Sequence, residues 1–148
     1  MRIAPLVLTL VLACGKGAAP RSGASGALDT SIDCDVGGFM EPNVVPTKKL
    51  NRRYGSTATH FSELNTSQEV PVEVCGAKEQ VAALLRYQCD DGSNPFSGFS
   101  DAHAARVGNT GPGGRCGMII DLYKVPCPEQ EYEVFMDLYS CPPGQSNY

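Results

Sequence analysis

MIIDLYKV (residues 118–125) and YEVFMDLYSC (132–141), joined by Pro126-Cys127-Pro128-Glu129-Gln130-Glu131, decide the fold of this chain. Both runs are rich in β-branched and aromatic residues, and the connection between them carries turn chemistry, so they read as two adjacent strands. Charge selects their register. With Lys124 opposite Glu133, Tyr123 faces Val134, Leu122 faces Phe135 and Ile119 faces Leu138. A slip of one residue would set Asp121 directly against Asp137, a disfavoured like-charge pair. Continued outward, the favoured register also carries Cys116 opposite Cys141, which makes that pair an expected disulfide. Asp121-Leu122-Tyr123 recurs as Asp137-Leu138-Tyr139, and two aspartates in one sheet suggest general acid–base chemistry. In this register they point to opposite faces and cannot share a substrate.

Upstream of the hairpin, residues 57–64 (TATHFSEL) and 70–75 (VPVEVC) read as short strands. Residues 77–88 place Ala77, Val81, Leu84 and Leu85 on one helical face. Gly76 precedes this segment and Asp90-Asp91-Gly92 is the expected stop. Residues 93–115, rich in Gly and Pro, read as a long loop. Together these elements predict an α+β domain with a mainly antiparallel sheet and one principal helix packed on a face.

At the other end the chain opens MRIAPLVLTLVLACGKG. Its apolar run from Ile3 to Ala13 rises about 16 Å as helix, well short of the roughly 30 Å hydrocarbon core of a bilayer. That length suits a signal-peptide core. The run ends Val11-Leu12-Ala13-Cys14-Gly15, which resembles the lipobox of bacterial lipoproteins. The resemblance covers only about the first 15 residues. It implies cleavage after Ala13 and lipidation of the Cys14 thiol, leaving Cys14 as the mature N-terminus. Gly15, where the family's inner-membrane retention signal is usually Asp, leans the expected location to the outer membrane of a Gram-negative cell. The chain then divides into a leader (1–13), a lipidated cysteine with a Gly-, Ala- and Ser-rich flexible tether (14–33), and one domain (34–148).

The domain has a thin core. Val, Ile, Leu, Met and Phe make up 26 of its 115 residues, and Trp is absent. Of the seven cysteines, the six beyond Cys14 (Cys34, Cys75, Cys89, Cys116, Cys127 and Cys141) are even in number. In an oxidising, exported setting they are expected to form three disulfides that compensate for the modest core. Were 77–88 helical throughout, Cys75 and Cys89 would lie roughly 20 Å apart, too far to bridge. With Cys116 assigned to Cys141, their expected partners are Cys34 and Cys127. No CxxC occurs and the two histidines are isolated, so the pattern implies no zinc site and no cofactor.

Other motifs are weak. Residues 108–114 (GNTGPGG), followed by Arg115-Cys116, lack the Lys and the following helix of a phosphate-binding loop. Gly98-Phe99-Ser100-Asp101-Ala102 starts like a nucleophile elbow but lacks its second glycine, with His103 three residues beyond Ser100 and His60 as an alternative base. Asp90-Asp91-Gly92-Ser93-Asn94 offers oxygen ligands without the closing Glu of an EF-hand. Lys48, Lys49, Arg52 and Arg53 form the basic cluster, suited to an anionic lipid surface or to a solvated loop. A net charge of -4 and a pI near 5.1 disfavour nucleic acid as a partner.

The function expected from sequence is therefore a lipid-anchored cell-envelope protein. It would meet the membrane through its N-terminal lipid and bind an unidentified envelope protein or ligand without catalysis, through an aromatic patch built from Tyr54, Phe96 and Phe99. The alternatives are an envelope hydrolase using Ser100 with His103, and a purely structural envelope component.

Overall fold

The computed structural model describes Cys34, Pro42–Val45 and Ala58–Ser146. The leader, Cys14, the tether, Lys48, Lys49, Arg52, Arg53 and Tyr54 lie outside the described residues. The strands are β1 (Asn43–Val44), β2 (Val72–Glu73), β3 (Arg106–Gly113), β4 (Met118–Pro126), β5 (Glu131–Asp137) and β6 (Ser140–Cys141). A 3-10 helix spans Phe61–Glu63, and two α-helices cover α1 (Ala77–Leu84) and α2 (Phe99–Ala104). A four-stranded sheet in the order β2-β5-β4-β3 is antiparallel except at β2–β5, and β1 pairs with β6 in parallel. The result is a small disulfide-stapled α+β domain with one principal helix.

The hairpin register is the expected one. Lys124 pairs with Glu133, Tyr123 with Val134 and Leu122 with Phe135. Alternation then sends Tyr123, Val125, Val134 and Met136 to the face that carries the core, where they pack with Val81, Leu84, Tyr87 and Phe61. Phe61 anchors an aromatic group, meeting Tyr87 and Phe96 edge-on and stacking on Tyr132.

The ladder stops short of Cys141, and this corrects the expected Cys116–Cys141 bond. The last pair is Ile120 with Asp137. There the Tyr139 N–H donates to Asp137 Oδ1 at 2.8 Å and the Ser140 hydroxyl to Asp137 Oδ2 at 2.9 Å, a side-chain turn that bends the chain out of the sheet. Residues 140 and 141 pair with β1 instead. The disulfides are Cys34–Cys116, Cys75–Cys141 and Cys89–Cys127. All six downstream cysteines are thus paired, Cys75 and Cys89 are not joined to each other, and Cys75 takes Cys141 rather than Cys34 or Cys127.

Three expected elements also differ. Within 57–64 the chain forms the 3-10 helix Phe61–Glu63 rather than a strand, because Glu63 Oε2 accepts from the Thr59 and His60 N–H groups and closes a local turn. The helix expected over 77–88 starts at Ala77 after Gly76, whose φ of 82° suits glycine, but its last helical residue is Leu84. Gln88 is drawn into backbone pairing with Thr59 and Phe61. The segment 93–115 holds α2 and β3 rather than a continuous loop.

Candidate functional site

Among the described residues, two polar networks lie in the interior, one on each face of the sheet. On the helix side, Gln80 of α1 donates from Nε2 to Asp121 Oδ2 at 3.2 Å and accepts from the Tyr123 hydroxyl at 3.0 Å. Arg106, at the start of β3, reaches Asp121 Oδ1 at 2.6 Å. Burial raises the Tyr123 phenol to about 12, and the Asp121 charge adds to this. The network links α1 to β3 and β4 and satisfies the polar groups that it buries.

On the opposite face, Glu73 of β2 and Asp137 of β5 are register partners, and both are fully buried. Arg115, in the turn between β3 and β4, clamps Glu73 in two bonds of 2.5 and 2.8 Å with a side chain only 1% exposed. Such bidentate pairs are strong when their charges are desolvated together. Asp137 is pushed up to about 6, chiefly by burial, with the Glu73 charge raising it further and the hydrogen bonds from Tyr139 and Ser140 pulling it down. Asp121 and Asp137 do point to opposite faces, yet each is an interior group tied to its own cation network.

The third cluster is at the surface. The Cys89–Cys127 bond brings Asp90 beside Glu129, and the Asp90 N–H donates to Glu129 Oε1 at 3.0 Å. The Tyr132 hydroxyl donates to the same oxygen at 3.0 Å, and the Ser62 hydroxyl donates to Asp90 Oδ1. Cys89, Cys127 and Glu129 stand at metal-ligand spacing, but both sulfurs are consumed by the disulfide. The Ser93 side chain, and then its N–H, hold the Asp91 carboxyl low, and the N–H bond to Asp91 Oδ1 makes the Asp90–Asn94 segment a side-chain turn.

Ser100 and His103 both fall on exposed turns of α2, and no hydrogen bond joins them among the described residues. Asp101, between them, accepts from the Ser97 N–H and hydroxyl at the head of that helix. His60 Nδ1 lies 2.9 Å from the Thr59 hydroxyl, in the extended entry to the 3-10 helix. Residues 108–114 belong to β3 and the turn after it. Phe96 is in the core, which corrects the expected aromatic patch, whereas Phe99 is half exposed. Val107 on the edge strand β3 and Val44 are likewise exposed.

Sequence reading missed the Glu73–Arg115–Asp137 cluster. Its only signal was polarity at strand positions (Glu73 beside Val72 and Val74, Asp137 beside Met136), and that signal reads equally well as a solvated face. No protein-family model, curated protein or solved structure matches this chain.

Proposed function

We propose that the chain is a lipid-anchored cell-envelope protein, lipidated at Cys14, that presents its disulfide-stapled domain as a non-enzymatic binding module, with the outer membrane of a Gram-negative cell as its site. The observation that carries this reading is the cysteine count. Three disulfides take up all six cysteines from Cys34 onward, so Cys14, which ends the apolar run, is the odd one of the seven. A thiol directly after such a run suits lipid attachment, and several acyl chains at one terminus anchor stably where one would not. No helix among the described residues is long and apolar enough to cross a membrane.

Binding is favoured over hydrolysis by where the polar groups are spent. Asp101 is bound to the Ser97 N–H and hydroxyl ahead of α2, Asp121 and Asp137 are held inside their networks, and among the described residues Ser100 has no hydrogen-bonded base. Among the described residues, the features open to a partner include the outer edge of β3 with Val107, Phe99 on the helix before it, and Val44. A free strand edge offers unpaired backbone groups, and exposed apolar side chains beside it add area. Metabolic palmitate labelling tests the anchor: the label enters the wild-type chain and is lost in Cys14→Ser. Labelling that persists in Cys14→Ser, or never appears, refutes it. A photo-crosslinking residue at Val107 tests the binding face in intact cells, where a discrete adduct is expected. An adduct-free chain would leave the structural-component reading in its place.

A further inference from the structure

Between the 3-10 helix and β2 the chain reads Glu63-Leu64-Asn65-Thr66-Ser67. Asn65-Thr66-Ser67 is the acceptor pattern of N-linked glycosylation, an asparagine with a hydroxyl residue two positions on and no proline between. Alone among the chain's asparagines, Asn65 carries it. Glu63 adds the acid that the bacterial form of the transferase favours two residues ahead of the asparagine. In an extended acceptor segment, side chains two apart point the same way, so the Ser67 hydroxyl is presented beside the Asn65 amide.

The fold sets that amide at the surface. Leu64, in extended backbone with φ of -82° and ψ of 108°, is buried. The Thr66 hydroxyl accepts from the Phe135 N–H at 3.1 Å and donates to the Glu133 carbonyl at 3.5 Å, which clips the segment onto β5. Asn65, between these two fixed points, is exposed, as alternation along an extended segment requires. A sugar joined there has solvent around it and displaces nothing from the core.

We propose that Asn65 is a glycosylation site, accepting an oligosaccharide from a polyprenyl-diphosphate-linked donor. The Asn65 amide nitrogen attacks the anomeric carbon of the first sugar. A carbon–nitrogen bond forms there as the carbon–oxygen bond to the diphosphate breaks. Polyprenyl diphosphate leaves with the bond electrons, and one amide proton passes to a base of the transferase. The proposal rests on export of the chain, which the leader supports, and not on the lipid.

The flanking side chains give the order of events. Glu63 Oε2 accepts from the Thr59 and His60 N–H groups. Ser67 is held in a turn: its hydroxyl accepts from the Val70 N–H at 3.1 Å and donates to Glu69 Oε2 at 2.8 Å, and its backbone exchanges two bonds with Val70. Both recognition side chains are therefore spent locally once the domain closes, so transfer precedes folding.

The test takes the full chain from envelopes of the cells that make it and reads the reduced tryptic peptide Tyr54–Lys78 by mass spectrometry. A sugar mass on this peptide is expected, lost in Asn65→Gln and in Ser67→Ala and kept in Ser67→Thr, which retains the hydroxyl. A peptide found only at its bare mass overturns the site, as does a sugar that persists in Asn65→Gln. The same digest reports the N-terminus, so a chain cut after Ala13 yet bare at Asn65 refutes the site and leaves the anchor standing. Purified transferase with its lipid-linked oligosaccharide tests the order of events. A chain folded and oxidised beforehand is expected to be a several-fold poorer acceptor than the same chain freshly diluted from denaturant, and equal rates overturn that order.

Discussion

Arg115 and Glu73 illustrate why a buried charge is safe only in company. Each alone would cost several kcal/mol to hold away from water, and their two-bond contact offsets most of that. Arg115→Met is expected to lose about 3–5 kcal/mol in urea unfolding, because it removes the guanidinium that clamps the buried Glu73 carboxylate in two bonds. Adding Glu73→Met to it should recover a large part of the loss, since an apolar pair of similar volume carries no desolvation debt. The exposed ion pairs of Lys124 with Glu131 and Glu133 give the contrast: with all three side chains near half exposure and screened by solvent, Lys124→Ala is expected to leave the urea unfolding curve nearly unchanged. At alkaline pH, the raised Tyr123 phenol favours the folded state until pH passes its ordinary value of 10, and the benefit is lost toward 12. A single burial pattern explains why these residues were hard to read. Alternation along β4 and β5 marks which residues share a face, but it does not say that both faces of the sheet are covered at Ile120 and Asp137.

Among the elements, β3 differs most from its sequence. Its glycines and Pro112 suppress strand propensity and suggest a loop. The segment becomes a strand because β4 offers it a complete partner, with Asn109 opposite Asp121 and Gly113 opposite Met118, and two irregularities absorb its surplus length. Gln68 then secures its far end, accepting from the Gly114 N–H and donating to the Pro112 carbonyl, each at 2.8 Å. A methyl group at Gly113 would lie 2.2 Å from the Gln68 carbonyl oxygen and 2.8 Å from Ile120 Cγ1. Gly113→Ala is expected to cost about 1–3 kcal/mol in thermal or urea unfolding, as overpacking does. Gly98→Ala is the control, with open space around the added methyl and an extended backbone; it should stay within about 0.5 kcal/mol of wild type. The hairpin β4–β5, by contrast, was legible down to its register. Its partners are near in sequence, and the choice between registers rested on one like-charge clash.

For the molecule as a whole, the disulfides do what the apolar core cannot do alone. They span 82, 66 and 38 residues, long loops whose closure removes much of the freedom of the unfolded chain. Replacing Cys89 and Cys127 with alanine should lower stability by about 2–4 kcal/mol, read from thermal unfolding. It should also release Asp90 from Glu129. Peptide mapping of the non-reduced protein is expected to return Cys34 with Cys116, Cys75 with Cys141 and Cys89 with Cys127. Any other set contradicts the sheet connections described above.

The local readings and the long-range ones part at Asp137. Alternation, turn residues and charge pairing act between neighbours, so the α+β class, the hairpin and the even set of six structural cysteines could be read from the chain. The surviving register carried a false corollary, because a ladder was extended past the point where its strand ends. Where it ends depends on a carboxylate that captures the Tyr139 and Ser140 donors, and on β1, distant in sequence, supplying a new partner for β6. The same tertiary closure buries Glu73, Arg115 and Asp137 together. Hydrogen bonds and charges between remote segments gain their strength only once the fold has removed the water between them.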